Sequence, residues 1–325
     1  MTGMIALYLL VGLIGLVLGG ELLVRGASKL ALSLGIPSVV VGLTVVAFGT
    51  STPELAVSLS AAFEGSANIA VSNIVGSNIF NVLFILGLSA VIFPLVIHTQ
   101  ISRREVPIMI GVSLALFAAS YNGLIGRAEG LLLFVGIIAY TFWLVRESLK
   151  ERQKDKRLEK EANKFVEDHS LKTSILVSAL LVAAGLGIVM FGADWFVKGA
   201  IHLAKNLGVS DTIVGLTIVA AGTSLPEVAA SVMATIKGER DIAVANVVGS
   251  NIYNILCIVG LSASVVPGGL NVDPNMISID MPFMIFVAAL CWPLFKTGGR
   301  ISRGEGALLL SLYVGYTIYL IFRAG

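Results

Sequence analysis

Charge is scarce in this chain. Only 13% of its 325 residues are Asp, Glu, Lys or Arg, about half the share of an ordinary soluble domain, which argues against a free-standing fold in water. Histidine is scarcer still. His98, His169 and His202 form no HExxH-like pair and none adjoins a candidate nucleophile, so the usual zinc-hydrolase pattern is excluded. The two cysteines, Cys257 and Cys291, fall in apolar segments without metal-ligand spacing and read as small core residues. Long polar stretches are also lacking, the longest running from Arg146 to Lys172. That stretch mixes nine basic with seven acidic residues (Glu147, Glu151, Asp155, Glu159, Glu161, Glu167, Asp168). It reads as a solvated helix or linker, and it has no Asp-rich EF-hand loop.

What fills the chain is apolar sequence. Hydrophobic residues make up 56% and the mean hydropathy is +0.93. Apolar runs of roughly 18–25 residues recur along it, each long enough to cross a bilayer as a helix. The first run lacks a basic leader and passes into Glu21 and Arg25 without a cleavage site, so it reads as a retained helix, not a signal peptide. Ten spans fit the pattern. In the first half they are Ile5–Val24, Val39–Phe63, Ile69–Val91, Pro107–Ser120 and Gly130–Val145. The second half supplies Ile175–Val197, Thr212–Thr235, Ile242–Val266, Met281–Phe295 and Glu305–Ile321. The expected class is an all-α membrane protein.

Part of the chain is written twice. Gly42–Ala90 and Gly215–Ala263 align without a gap at an offset of 173, with 30 of 49 positions identical. Glu21, Arg25, Gly26 and Ala27 align at the same offset with Asp194, Lys198, Gly199 and Ala200. Each half then holds five spans, and an odd number obliges the second half to insert upside down, the inverted-topology repeat of secondary transporters. The expected division is residues 1–147 and 173–325 as the two five-helix repeats, with 148–172 as the connecting loop. On this count 18 of the 22 Lys and Arg residues fall on one side of the membrane. The positive-inside rule makes that side cytoplasmic, with the central loop inside and both termini outside. Glu21–Arg25 and Asp194–Lys198 read as interfacial i,i+4 pairs.

The shared positions are largely polar. Ala47, Thr50, Ser51 and Glu54 lie at i, i+3, i+4 and i+7, one helix face, and Ala220, Thr223, Ser224 and Glu227 repeat them. Glu54 and Glu227 are the carboxylates well inside predicted spans. A charge there costs about 2.5–3.5 kcal/mol on insertion scales, and a bound cation offsets it. Pro53 and Pro226 lack the N–H that would bond Gly49 and Gly222 four residues back. Each motif helix is therefore expected to kink and to turn the carbonyls of residues 47–50 and 220–223 inward, tolerable at membrane depth only beside such a site. The following spans add Asn73, Ser77 and Asn81, then Asn246, Ser250 and Asn254, four residues apart. Oxygens alone make up this set, without imidazole or thiolate, which suits hard ions such as Ca²⁺ with about 6–8 ligands, and Na⁺. Taken singly, such hydroxyls and glycines serve helix packing; the duplication of the whole constellation favours a site.

The doubled G-T-S-x-P-E and G-S-N-I-x-N motifs resemble the α-repeats of the calcium/cation antiporter superfamily, and specifically its prokaryotic sodium/calcium exchanger branch. The resemblance covers essentially the whole chain. It implies electrogenic exchange of Na⁺ for Ca²⁺ by alternating access, with the cations as cargo, no resident cofactor, no nucleic acid and no enzyme activity. It further implies a monomer in the lipid of the cell membrane. Carried over, Glu54, Glu227 and the carbonyls of Thr50 and Thr223 hold Ca²⁺. Ala47, Thr50, Ser51, Glu54 and Ser250 form a cytoplasmic sodium site, and Ala220, Thr223, Ser224, Glu227 and Ser77 its extracellular mirror. Proton-coupled relatives carry Asn where Thr50 and Thr223 stand, and potassium-dependent ones carry Asp at the position of Asn254. Here Asn81 and Asn254 are both amides, so those two couplings are the weaker alternatives. A passive cation channel is weaker again, because two carboxylates in a closed cage bind too tightly for fast conduction.

Overall fold

The computed structural model describes residues 2–162, 171–207, 218, 220–296 and 298–324. The first helix, α1 (Thr2–Leu34), is followed by α2 (Ser38–Thr50) and α3 (Thr52–Phe63), which meet at a 43° bend. Next come α4 (Ala67–Ile92), β1 (Leu95–Val96), α5 (Val106–Ala119), β2 (Leu124–Ile125) and α6 (Arg127–Ala162). The second half repeats the order with α7 (Leu171–Asn206), a short turn at Ala220–Gly222, α8 (Leu225–Ile236) and α9 (Arg240–Val265). It closes with β3 (Leu270–Asn271), α10 (Met276–Lys296), β4 (Arg300–Ile301) and α11 (Arg303–Ala324).

Among the described residues, seven helices are long and apolar enough to cross a membrane, and the bent α2–α3 pair makes eight. This is short of the ten spans the hydropathy predicts, for a geometric reason. The 14 residues of α5 rise only about 21 Å and the 12 of α8 about 18 Å, against a hydrocarbon core of about 30 Å. The seventh predicted span starts at Thr212, outside the described residues. Other predicted ends are too early: α1 runs ten residues past Val24, and α6 carries the fifth span on to Ala162, well into the predicted loop.

Two long helices form one layer. α1 and α7 are equivalent in the repeat and lie antiparallel, Gly12 opposite Phe196 and Gly26 opposite Val182. The seam is closed by glycine. A Cβ on Gly15 would sit 2.8 Å from the Gly192 Cα, so the backbones touch as small residues allow in membrane helices. The other layer is built around α4 and α9, whose apolar side chains are the centre of the main core, with Ile74, Ile79, Leu83, Ile252, Ile255 and Ile258 fully buried. Both helices wind more widely for six residues, over Asn81–Leu86 and Asn254–Val259, a departure from α geometry that often marks functional positions. Each two-stranded ladder joins the halves. β1 pairs with β4 (Leu95 opposite Ile301), and β2 with β3 (Leu124 opposite Asn271).

Candidate cation-binding site

The motif segments break where their sequence says they must. At Ser51 the backbone leaves the helical region (φ −82°, ψ 6°) and at Ser224 it does the same (φ −90°, ψ 7°). A new helix starts one residue later, with proline in its first turn, where a missing N–H is harmless. The outcome is a restart as well as a kink. Glu54 and Glu227 land in the first turn of α3 and α8, where the helix dipole favours negative charge.

Ser-x-Pro-Glu also has the form of a capping box, in which the serine hydroxyl would bond its own helix. Neither serine caps. Instead Ser51 Oγ donates to Glu227 Oε1 at 2.9 Å, and Ser224 Oγ donates to Glu54 Oε1 at 2.7 Å. The hydroxyls of the first half serve the carboxylate of the second, and the reverse. Ser224 Oγ also lies 3.1 Å from Ser77 Oγ, and Thr223 faces Glu54. Thr50 and Ser250 face Glu227. Two clusters result: Glu54 with Ser77, Thr223 and Ser224, and Glu227 with Ser250, Thr50 and Ser51. At Oε1 each glutamate accepts from the motif serine of the opposite half, while Ser77 and Ser250, each from the same half as its glutamate, stand in the same clusters.

The amides bond one another across the halves. Asn78 and Asn251 exchange bonds, each Nδ2 donating to the other's backbone carbonyl at 3.2 Å. Asn81 Nδ2 donates to Asn251 Oδ1 at 3.0 Å, and Asn254 Nδ2 to Asn78 Oδ1 at 2.9 Å. Donors are thus used and acceptors left over. Gly249 lets this layer close on α2, since a Cβ there would stand 2.9 Å from the Ala47 Cβ.

Five oxygens from the site are buried with no hydrogen-bond partner: Glu54 Oε2, Glu227 Oε2, Asn81 Oδ1, Asn254 Oδ1 and Ser250 Oγ. Each would cost about 1–3 kcal/mol if left unsatisfied. All are acceptors that a hard cation takes as ligands. These donors are all oxygens, the ligand type that suits hard ions such as Ca²⁺ and Na⁺.

Two buried carboxylates escaped the sequence reading. Glu105 accepts from Tyr140 Oη at 2.6 Å and from Gln100 at 3.1 Å. Its structural equivalent, Asp280, accepts from Tyr316 Oη at 3.1 Å and pairs with Arg323 at 3.1 Å. Glu105 closes a widened turn just ahead of α5, and Asp280 closes the widened first turn of α10. Their signal was a second repeated pair, Glu105–Tyr140 and Asp280–Tyr316, hidden by an offset that drifts from 173 to 175 and 176.

Comparison with known proteins agrees with the doubling. The family model described as sodium/calcium exchanger protein matches residues 4–146 and again 177–322. The chain is 37% identical to the inner membrane protein YrbG of Escherichia coli (strain K12), over 96% of this chain and 94% of that one. It is 32% identical to the sodium/calcium exchanger MaX1 of Methanosarcina acetivorans, over 97% and 98%. Among solved structures it resembles the sodium-calcium exchanger NCX_Mj soaked with zero Na⁺ and Ca²⁺. The TM-score is 0.83 at 28% identity, covering 98% of this chain and 100% of that one.

Proposed function

This chain belongs to the sodium/calcium exchanger protein family, and from that premise we propose that it is a Na⁺/Ca²⁺ antiporter working by alternating access. The observation that carries the reading is the pair of buried glutamates, each fastened at one oxygen by the opposite half and unpartnered at the other. Two carboxylates neutralise one Ca²⁺ or two Na⁺, so the ions compete for one set of oxygens. Ca²⁺ lies between Glu54 and Glu227 with the carbonyls of Thr50 and Thr223. One sodium ion takes Ala47, Thr50, Ser51 and Ser250 with Glu227, and another takes Ala220, Thr223, Ser224 and Ser77 with Glu54. Asn81 and Asn254 contribute their free amide oxygens between them.

The chain is read as two inverted five-span halves, residues 1–147 and 173–325, joined by a cytoplasmic segment, 148–172. Support for the inversion comes from the antiparallel α1 and α7 and from the reciprocal hydrogen bonds across the halves. The odd number per half that inversion requires counts the bent α2–α3 pair, the short α5 and the segment that ends in α8 as one span each. In this orientation the Glu227 cluster lies toward the cytoplasm and the Glu54 cluster toward the outside, in the lipid of the cell membrane and within one monomer.

The test is Ca²⁺ uptake into proteoliposomes loaded with Na⁺, with K⁺ or with a proton gradient alone. Uptake should follow the outward Na⁺ gradient and need no K⁺, because position 254 is an amide. A strict K⁺ requirement, or proton-driven uptake without Na⁺, would overturn the coupling. Flux that ignores a counter-gradient would make the protein a channel.

A further inference from the structure

Behind each cluster stands an asparagine that the ligand set does not use. Asn73 Nδ2 donates to Ser58 Oγ at 3.1 Å and to the Glu54 backbone carbonyl at 3.5 Å, while its Oδ1 accepts from Thr223 Oγ1 at 3.4 Å. Asn246 repeats this in the other half. Its Nδ2 donates to Ser231 Oγ at 3.0 Å and to the Glu227 carbonyl at 3.5 Å, and its Oδ1 accepts from Thr50 Oγ1 at 3.2 Å. Both arrangements follow one pattern: the serine sits one turn after the glutamate, and the threonine comes from the opposite half. The amide orientation is settled by chemistry, since a backbone carbonyl only accepts and must face the NH₂ group.

We propose that Asn73 and Asn246 are positioning residues, Asn73 for the Glu54 cluster and Asn246 for the Glu227 cluster. The proposal rests on the antiporter reading above. A threonine hydroxyl carries one proton and two lone pairs. Left to rotate, Thr223 can aim that proton at the Glu54 carboxylate, which it faces, and so compete with a cation for the same oxygen. Donation to Asn73 Oδ1 draws the proton outward and leaves lone pairs on the inner side. The same amide holds the Glu54 backbone through its carbonyl, so one side chain sets both the glutamate and the threonine of a cluster. Asn246 does this for Glu227 and Thr50. Neither asparagine touches an ion.

Because the two clusters face opposite sides, the two asparagines should act on opposite faces of the membrane. In oriented proteoliposomes, Asn73→Ala should raise the Na⁺ half-saturation on the outer face by about fivefold to tenfold, the loss expected of about one hydrogen bond. Asn246→Ala should do so on the cytoplasmic face. The saturated rate should change less than the half-saturation in each. Ser58→Ala and Ser231→Ala, which remove less, should give smaller shifts on the same faces. Thr223→Val should absorb most of the effect of Asn73→Ala in the double variant, as coupled partners do. Calorimetric Ca²⁺ titration of the purified variants supplies a readout independent of transport.

Equal shifts on both faces, additive Asn73 and Thr223 effects, or a fall in melting temperature with unchanged half-saturation would overturn the proposal. The serine variants decide the question if an asparagine variant does not fold. Exchange that survives in Glu54→Gln and Glu227→Gln would remove the site itself. Loss of exchange in those two, with wild-type half-saturation in the asparagine variants, would remove this proposal alone.

Discussion

Ser51 and Glu227 are 176 positions apart in the chain and 2.9 Å apart in space. A serine in the cap position of one broken helix is thereby spent on the carboxylate of another. Ser51→Ala removes both that bond and a proposed sodium ligand. We expect the Na⁺ half-saturation to rise by about tenfold or more, the range for a hydrogen bond to a charged group. Na⁺ competition against ⁴⁵Ca²⁺ uptake measures it. An unchanged competition curve would take Ser51 out of the site.

Glu54→Gln and Glu227→Gln should each abolish exchange while the protein still folds. One carboxylate leaves a divalent ion half-neutralised, and removing an intramembrane charge eases insertion. Size-exclusion profiles and ⁴⁵Ca²⁺ uptake report the two effects separately. Wild-type uptake by either variant would refute the assignment.

The glycine seam makes a prediction about stability alone. Gly15→Ala drives a methyl to 2.8 Å from the Gly192 Cα, so α1 and α7 must part, whereas Gly187→Ala meets nothing within 4 Å. The first should lower the melting temperature clearly. The second should leave it unchanged or raise it slightly, since alanine favours helix over glycine. Equal melting temperatures would mean that the seam is slack.

Tyr140→Phe and Tyr316→Phe should differ as well. Both remove a phenol that donates to a buried carboxylate, but Asp280 keeps the Arg323 ion pair, whereas Glu105 is left with Gln100. Loss of such a bond costs about 1.5–3 kcal/mol, and Tyr140→Phe should show the full effect in thermal unfolding. Tyr316→Phe should show the smaller one. The reverse order would place the greater dependence at Asp280.

The repeat was legible because its offset is constant and its shared residues are polar. Glu54, Glu227, Ser77 and Ser250 stood out as polar groups inside apolar runs, and they are buried together in the fold. The reach of each motif serine to the carboxylate of the opposite half was not legible. A periodic reading of residues 47–54 assumes one straight helix, and nothing local says that the Ser51 hydroxyl will leave its own helix for another. The ten spans are not all visible as long helices for a related reason: hydropathy sees apolar length and does not see where a helix stops short, as α5 and α8 do. Glu105 went unnoticed because it sits beyond the end of a predicted span, where a carboxylate is ordinary, until Tyr140 is seen beside it.

The reciprocal bonds between Asn78 and Asn251 make the centre of the molecule a meeting of like with like. A free half could rebuild that centre only by finding a copy of itself inserted the other way up, which requires a sequence indifferent to its own orientation. The present halves are not indifferent: in the ten-span reading 18 of the 22 Lys and Arg residues lie on one face. Joining the halves in one polypeptide is what permits this. Each half is always made with its inverted partner, so each is free to carry a strong orientation preference of its own. Two fragments cut between residues 162 and 171 should therefore reassemble when made together, and neither should form this centre by pairing with itself.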